Sequence, residues 1–297
     1  MLESVKDLRS AADGTVLNDL NFELFDIPDT DGTVFAVRLK GVDPFEAWQA
    51  ARAIIDSTGR WPLLVDLAFS SFGGIKEKLM DGDLSRFPFE DEDGNAQSPA
   101  KIIEASKAVD VDAWFEAQGR DFDKFEEDYD WVVEELESEF GRRPEESELD
   151  KSIPFRVHRY ERWAWDRQRE AGTLASPEEG RQRLFEPQKP ALLLMPTAKP
   201  WETLAWASWY GAEQWHAETV AVIRDWTERY GAELFANLST MLEFVVTNPP
   251  TEPEDAWQLA TRHDLLAPST LAGPGITVRQ YAQALIGWDR WFLHERP

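Results

Sequence analysis

The sequence predicts an α+β or α/β fold with two β-α-β-containing lobes, mixed sheets and an acidic helical insertion. Short apolar runs that end at glycine or proline indicate strands in residues 1–100 and again in residues 191–297. Both regions also place apolar residues at three- and four-residue steps, which is one face of a helix. Residues 101–190 carry the clearest helical pattern. We therefore expect an N-terminal α/β lobe, a helical insertion with a linker, and a C-terminal α/β domain.

The N-terminal lobe is predicted to follow the order strand, helix, strand. A short strand is expected at Phe22 to Phe25, and Val34 to Leu39 alternates enough to form a longer one. Pro44 begins a helix, because proline suits the first helical turn and the side chain of Asp43 can cap it. The next strand is expected at Trp61 to Phe69.

The insertion follows a loop and contains two helical stretches of opposite charge. Ser70 to Ala100 is rich in glycine and proline, so we expect a loop. Asp121 to Phe140 is the clearest helix, with one apolar stripe and carboxylates on most of its other faces. Pro154 to Gly172 carries five arginines. Because the opposite charges match, we expect these two helical stretches to pack together.

The C-terminal domain is predicted from further apolar runs. Leu192 to Met195 and Leu204 to Trp209 are interpreted as strands, and Val222 to Tyr230 as part of a helix capped by Gly231. The elements expected after this helix are strands at Ala232 to Ala236 and Met241 to Thr247, helices at Pro253 to His263 and Thr277 to Ile286, and an aromatic strand at Trp288 to Phe292.

An internal similarity suggests that the two β-α-β units are related. Ile54 to Trp61 matches Ile223 to Tyr230 at five positions, each time where a helix leads into a strand. A second alignment pairs Pro44 to Ala51 with Pro253 to Ala260. The sequence alone does not decide between a true duplication and a likeness of acidic, proline-initiated helices.

Composition limits the kinds of partner. The chain has 31 Lys and Arg against 56 Asp and Glu, which gives a net charge of −25. Nucleic acid and anionic membranes repel such a chain, whereas a basic protein is attracted. There is no cysteine, so disulfides and thiolate metal sites are excluded. No apolar run approaches the about 20 residues that span a bilayer, so we expect a soluble, cytoplasmic protein.

No catalytic constellation is evident. The four histidines are not paired at the four-residue spacing of a zinc-binding helix, and no Gly-x-Ser-x-Gly motif is present. We therefore expect no catalytic residues, no metal and no cofactor, and we favour a protein that is not an enzyme. The oligomeric state stays open.

Two groups of residues are candidates for binding. The first is an aromatic region with nearby charged side chains, comprising Trp201, Trp209, Trp215, His216, Asp225 and Arg229. The second is the acidic helix, whose carboxylates are expected to face a partner at Asp123, Glu127, Asp130, Glu134 and Glu137.

The C-terminal third resembles a known family. The residues that carry the resemblance are Leu192-Leu193-Leu194-Met195-Pro196-Thr197, the stretch from Arg224 to Leu234, Asn248-Pro249-Pro250-Thr251, Ala256, Leu259-Ala260 and Trp291-Phe292. Together they resemble a bacterial domain of unknown function, the domain of unknown function 4253 family. The resemblance supports the fold class and implies no particular activity.

Three functional hypotheses follow. The first is a non-catalytic binding protein of the immunity or antitoxin kind that recognises a basic protein, which a neighbouring toxin gene would favour. The second is an enzyme with a site in the cleft between the lobes, which requires His216, Asp225 and Arg229 to lie together. The third is a nucleic-acid mimic that uses the acidic helix, which charge reversal on residues 121–140 would test.

Overall fold

The structure, a computed structural model, describes residues 2–27, 30–69, 89–90, 96–125, 130–182, 184–207, 209–212 and 215–296. The chain divides into two units. The first, which we name the sheet unit, comprises Met1–Val109, Leu184–Thr247 and Arg290–Pro297. The second, which we name the helical unit, comprises Asp110–Arg183 and Asn248–Asp289.

The sheet unit is built on a mixed sheet of seven strands. They are β1 (Glu23–Asp26), β2 (Thr33–Arg38), β3 (Trp61–Asp66), β6 (Pro190–Met195), β7 (Ala232–Asn237), β8 (Met241–Val246) and β9 (Arg290–His294). The described residues also contain a separate antiparallel pair, β4 (Phe89–Glu90) and β5 (Ala96–Gln97). The order in the large sheet is β1-β2-β6-β3-β7-β8-β9, and its neighbours are antiparallel except β3 and β7. The α+β class is therefore confirmed.

The strands of both predicted lobes belong to this one sheet, where separate sheets were expected. β6 lies between β2 and β3 and is antiparallel to both, so β2 and β3 run parallel to each other. β7 is parallel to β3 and therefore antiparallel to β6. The segment from β2 to β3 is thus a parallel β-α-β unit, whereas β6 and β7 flank the later helix in opposite directions.

The helices of the sheet unit cover both faces of its sheet. Within the described residues these α-helices are Val5–Ala11, Pro44–Ala53, Ile55–Thr58, Pro99–Ser106 and His216–Tyr230. The Asp43 carboxylate accepts the N–H of Glu46, as predicted for a cap, and Gly231 has the positive φ of a left-handed cap. Trp48 packs in the cluster that holds Leu192 and Leu194. On the other face, Trp226 contacts the rings of Phe244 and Trp291.

The predicted strand at Leu204 to Trp209 is wrong. Pro200–Ala205 forms a 3₁₀ helix that packs against the helix His216–Tyr230. Pro200 suits the first turn of a helix, and the Thr203 hydroxyl donates to the Lys199 carbonyl. A short apolar run does not by itself distinguish a buried strand from a buried helical turn.

A buried arginine ties three segments of the sheet unit together. The Arg60 guanidinium donates to the carbonyl oxygen of Leu2 at 2.8 and 3.0 Å, to the Thr33 carbonyl and hydroxyl, and to the Leu194 carbonyl at 3.3 Å. It also lies 4.5 Å from the centre of the Phe35 ring. Burial lowers the pKa of Arg60 to about 10. The hydrogen bonds of Arg60 therefore connect the N-terminal segment to β2 and β6.

The helical unit consists of helices in its described residues. They are Val111–Phe125, Asp130–Phe140, Arg156–Ala171, Pro177–Gly180, Pro253–Leu266, Ser269–Ala272 and Val278–Leu285. Part of the helix predicted from Asp121 to Phe140 lies outside the described residues, at 126–129, and helical structure already begins at Val111. The predicted pairing with the arginine-rich helix is confirmed, since Phe140 contacts Trp163 and Gln168 donates to Glu139.

A buried carboxyl on β8 makes a pH-dependent contribution to stability. Glu243 accepts the N–H of Phe185 at 2.8 Å, and burial raises its pKa to about 7. Since the folded-state pKa lies above the unfolded value, this group stabilises the fold below about pH 4.5 and loses that effect as the pH rises through about 7. The charged form is therefore the destabilising one.

We expect Glu243→Gln to stabilise the protein at about pH 8, by about 2 kcal/mol, because glutamine keeps the acceptor without the buried charge. The difference in free energy of unfolding between variant and parent should be smaller at about pH 5.5, where Glu243 of the parent is more often protonated. Urea unfolding at both pH values measures this difference. An equal difference at the two pH values would contradict the assignment.

Candidate functional site

The helical unit contains a pocket of about 440 Å³ with mostly apolar walls. The apolar lining includes Phe122, Trp131, Phe155, Leu265, Leu271 and Ile276. Three carboxylates share the lining, those of Glu135, Glu161 and Asp264. We name it the carboxylate pocket. An apolar pocket with a few convergent polar groups is the usual form of a small-ligand site.

Each carboxylate reaches the pocket from a different helix. Glu161 lies on the buried stripe of the helix Arg156–Ala171, one turn after Val157 and one turn before Trp165. Glu135 lies on the helix Asp130–Phe140, and Asp264 near the end of Pro253–Leu266. The side chain of Glu161 is 6% exposed, against 43% for Glu135. The pocket therefore has one buried and two more accessible acids.

Arg279 is a buried cation that contacts two of the pocket carboxylates, Glu161 and Glu135. Its Nη1 lies 2.6 Å from Oε1 of Glu161, and its Nη2 lies 2.8 Å from Glu139 and 3.1 Å from Glu135. Burial opposes the charged guanidinium, but the attraction of the three carboxylates prevails and raises the pKa of Arg279. Three carboxylates thus contact one arginine, and Asp264 adds a further acid to the pocket lining, so the region keeps an excess of negative charge.

The buried acid is held by the same arginine through both oxygens. Oε1 of Glu161 accepts from the Arg279 guanidinium, and Oε2 accepts the Arg279 backbone N–H at 3.4 Å. Burial raises the pKa of the Glu161 carboxyl, while the charge of Arg279 acts in the opposite direction. Arg279 is therefore the main hydrogen-bond partner of Glu161.

The Asp264 carboxylate is oriented by a buried histidine. Oδ2 of Asp264 lies 2.7 Å from Nε2 of His158, and His158 is 1% exposed. A carboxylate only accepts hydrogen bonds, so Nε2 carries the hydrogen. The His158 ring also stands edge-on to Phe155, at 4.8 Å between centroids. This packing fixes the carboxylate at the pocket wall.

The predicted aromatic region lies in the sheet unit. Trp209 is fully buried and is therefore part of the core. Trp201 is partly exposed and lies beneath two cations, with Lys199 Nζ at 4.8 Å and Arg224 Cζ at 5.7 Å from its ring centre. Of these two tryptophans, Trp201 is the one that presents a surface.

The structure does not gather the charged members of the predicted region into one site. Trp215 and His216 stand at the start of the helix His216–Tyr230, where burial lowers the pKa of His216 to about 4. Asp225 and Arg229 pair at 2.8 Å further along. Asp225 follows His216 by nine residues, about two and a half turns, so the two side chains leave opposite sides of the helix.

The acidic positions expected to face a partner have different roles. Asp123 accepts the backbone N–H of Arg156 at 2.7 Å and so supports the start of the helix Arg156–Ala171. Asp130 and Glu134 are exposed, and Glu137 pairs with Arg143 at 2.7 Å. Glu127 lies outside the described residues. Asp130 and Glu134 are thus the described members of this group that lie exposed on the helix that also carries Glu135.

The sequence analysis did not select Glu161, Asp264 or Arg279. One signal was present, because Glu161 interrupts an otherwise apolar stripe at four-residue spacing between Val157 and Trp165. A charge in such a stripe indicates a buried partner. The identity of that partner depends on contacts between residues far apart in the chain.

None of the helices in the described ranges is both long enough and apolar enough to cross a membrane. Within the same part of the chain, no group of three or more histidine, aspartate or glutamate side chains is arranged to hold a metal ion.

The fold and the site define an α+β protein with a carboxylate-lined apolar pocket in its helical unit. Residues 191–294 match the model of the family described as Domain of unknown function (DUF4253), which confirms the predicted resemblance. No curated protein and no solved structure matched the chain. Asp264 and Arg279 lie within the matched residues, whereas Glu135 and Glu161 precede them.

Proposed function

We propose that the protein is a non-catalytic binding protein, of the immunity or antitoxin kind, that recognises a basic protein partner. The carboxylate pocket takes a cationic side chain of that partner. The observation that carries this proposal is the meeting of apolar walls with Glu135, Glu161 and Asp264. Apolar walls accept the stem of a long basic side chain, and the acids accept its charged end.

The charge of the whole chain supports a basic partner. A net charge of −25 attracts a cationic protein over long range and raises its rate of association. The local excess of acids over Arg279 then favours placing a cation in the pocket. The same charge disfavours nucleic acid as the partner.

The rim of the pocket has the features of a protein contact. Trp131 lines the pocket and is 55% exposed. Exposed tryptophans are over-represented among the residues that dominate binding energy. Asp130 and Glu134 are exposed on the same helix, one turn apart from each other. An aromatic anchor beside acids suits a basic surface.

Calorimetric titration with small probes tests this function. We expect a cationic probe with an apolar tail, n-pentylammonium or n-butylguanidinium, to bind saturably, whereas the neutral hexanol does not. Asp264→Asn should weaken that binding by about tenfold, because it removes a charge from the pocket wall. Glu170→Gln is the matched control, since Glu170 is exposed on a helix of the same unit and does not line the pocket. Equal weakening by both variants, or no cation binding, would refute the proposal.

A further inference from the structure

We infer that the carboxylate pocket selects a primary ammonium group on an aliphatic chain, as in a lysine side chain, over a guanidinium group. This inference rests on the proposed function and specifies which cation the pocket takes. It follows from how many oxygens of each carboxylate are already engaged in hydrogen bonds.

Glu161 is the least available of the three pocket carboxylates to a ligand, since it is the most buried. Both of its oxygens accept from Arg279, one from the guanidinium and one from the backbone N–H. The bidentate carboxylate site that a guanidinium prefers is thus occupied at Glu161 by a residue of the protein itself.

Asp264 and Glu135 each retain one oxygen. Oδ2 of Asp264 accepts from His158, and Oε1 of Glu135 accepts from Arg279. Within the described part of the chain, no hydrogen bond reaches Oδ1 of Asp264 or Oε2 of Glu135. Both side chains line the pocket, so a ligand meets two single oxygens on two separate helices.

Two separate oxygens match an ammonium group better than a guanidinium group. A guanidinium binds best when two parallel N–H groups meet both oxygens of one carboxylate in a plane. An ammonium group has three donors that point in different directions, so it can bind oxygens from different carboxylates. The pocket therefore offers the arrangement that an ammonium group requires.

The apolar walls of the pocket determine which chain attached to the ammonium group fits. Phe122 and Phe155 lie 5.8 Å apart between ring centroids, and Leu265, Leu271 and Ile276 complete an apolar lining. Each methylene that leaves water for such a lining contributes favourably to binding. The pocket therefore favours an ammonium group that is attached to an unbranched aliphatic chain.

Calorimetric titration with three probes tests the selectivity. We expect n-pentylammonium to bind about tenfold more tightly than n-butylguanidinium. A pentyl chain that ends in trimethylammonium should also bind about tenfold more weakly, because it keeps the charge and loses the N–H donors. Equal or tighter binding of either competitor would overturn the inference and leave the proposed function standing. Absence of binding by all three cations would overturn both.

Variants of the two accepting residues provide an independent check. Asp264→Asn and Glu135→Gln should each reduce the preference for n-pentylammonium over n-butylguanidinium, whereas Glu170→Gln keeps the parental preference. Circular dichroism confirms that each variant is folded before titration. An unchanged preference in both pocket variants would contradict the assignment of these two carboxylates.

Discussion

Arg279→Met should lower the free energy of unfolding by about 3–5 kcal/mol, because it leaves the buried Glu161 carboxylate without its counter-charge. Arg279 is 5% exposed, and its guanidinium bonds to Glu161, Glu135 and Glu139. Removing one member of a buried ion pair costs more than the pair contributes, since the remaining charge cannot reach water. Urea unfolding at neutral pH measures the loss.

A second substitution separates this explanation from a simple loss of packing. Adding Glu161→Gln to Arg279→Met should recover part of the loss, because it removes the buried charge that the first change exposes. Arg120→Met is the control, since Arg120 pairs with Glu116 on an exposed surface where such pairs contribute about 0–1 kcal/mol. A double variant no more stable than Arg279→Met would contradict the charge argument.

Replacing Arg60 by methionine should cost about 2–4 kcal/mol, because it removes the donors of several buried carbonyl oxygens at once. The guanidinium bonds to carbonyl groups of Leu2, Thr33 and Leu194, which belong to three different segments. The N-terminal segment depends on this anchor, so hydrogen exchange in the helix Val5–Ala11 should become faster in the variant.

Arg60→Lys distinguishes hydrogen-bond geometry from charge. A single ammonium group cannot reach all the acceptors that the guanidinium fork reaches, so Arg60→Lys should lose nearly as much stability as Arg60→Met. Unfolding and hydrogen exchange measured on both variants provide the comparison. Parental stability in Arg60→Lys would show that the positive charge alone is required.

Local elements could be predicted from the sequence because their signals are local. Asp43, Pro44 and Gly231 stand at the helix ends that they were predicted to mark. The order of strands could not be predicted, because the pairing of β6 with β2 and β3 joins residues far apart in the chain. The apolar run at Leu204 to Trp209 was misassigned because apolar content alone does not fix the backbone conformation.

Most residues of the carboxylate pocket could not be predicted from the sequence for the same reason. Arg279 reaches Glu161 across 118 residues, and His158 reaches Asp264 across 106. Both contacts need the helical unit to be assembled. In contrast, Asp225 and Arg229, which were proposed as charged members of the aromatic region, lie one turn apart and form an ion pair. Spacing within one helix predicts a local ion pair well, but it does not predict a pocket that several helices build.

The most direct test of the central claim is an amide NMR titration of the intact chain with n-pentylammonium chloride, with sodium chloride as the reference. We predict saturable shifts that concentrate around Glu135, Glu161 and Asp264. Shifts spread over the acidic surface, or no shifts beyond those of sodium chloride, would contradict the account.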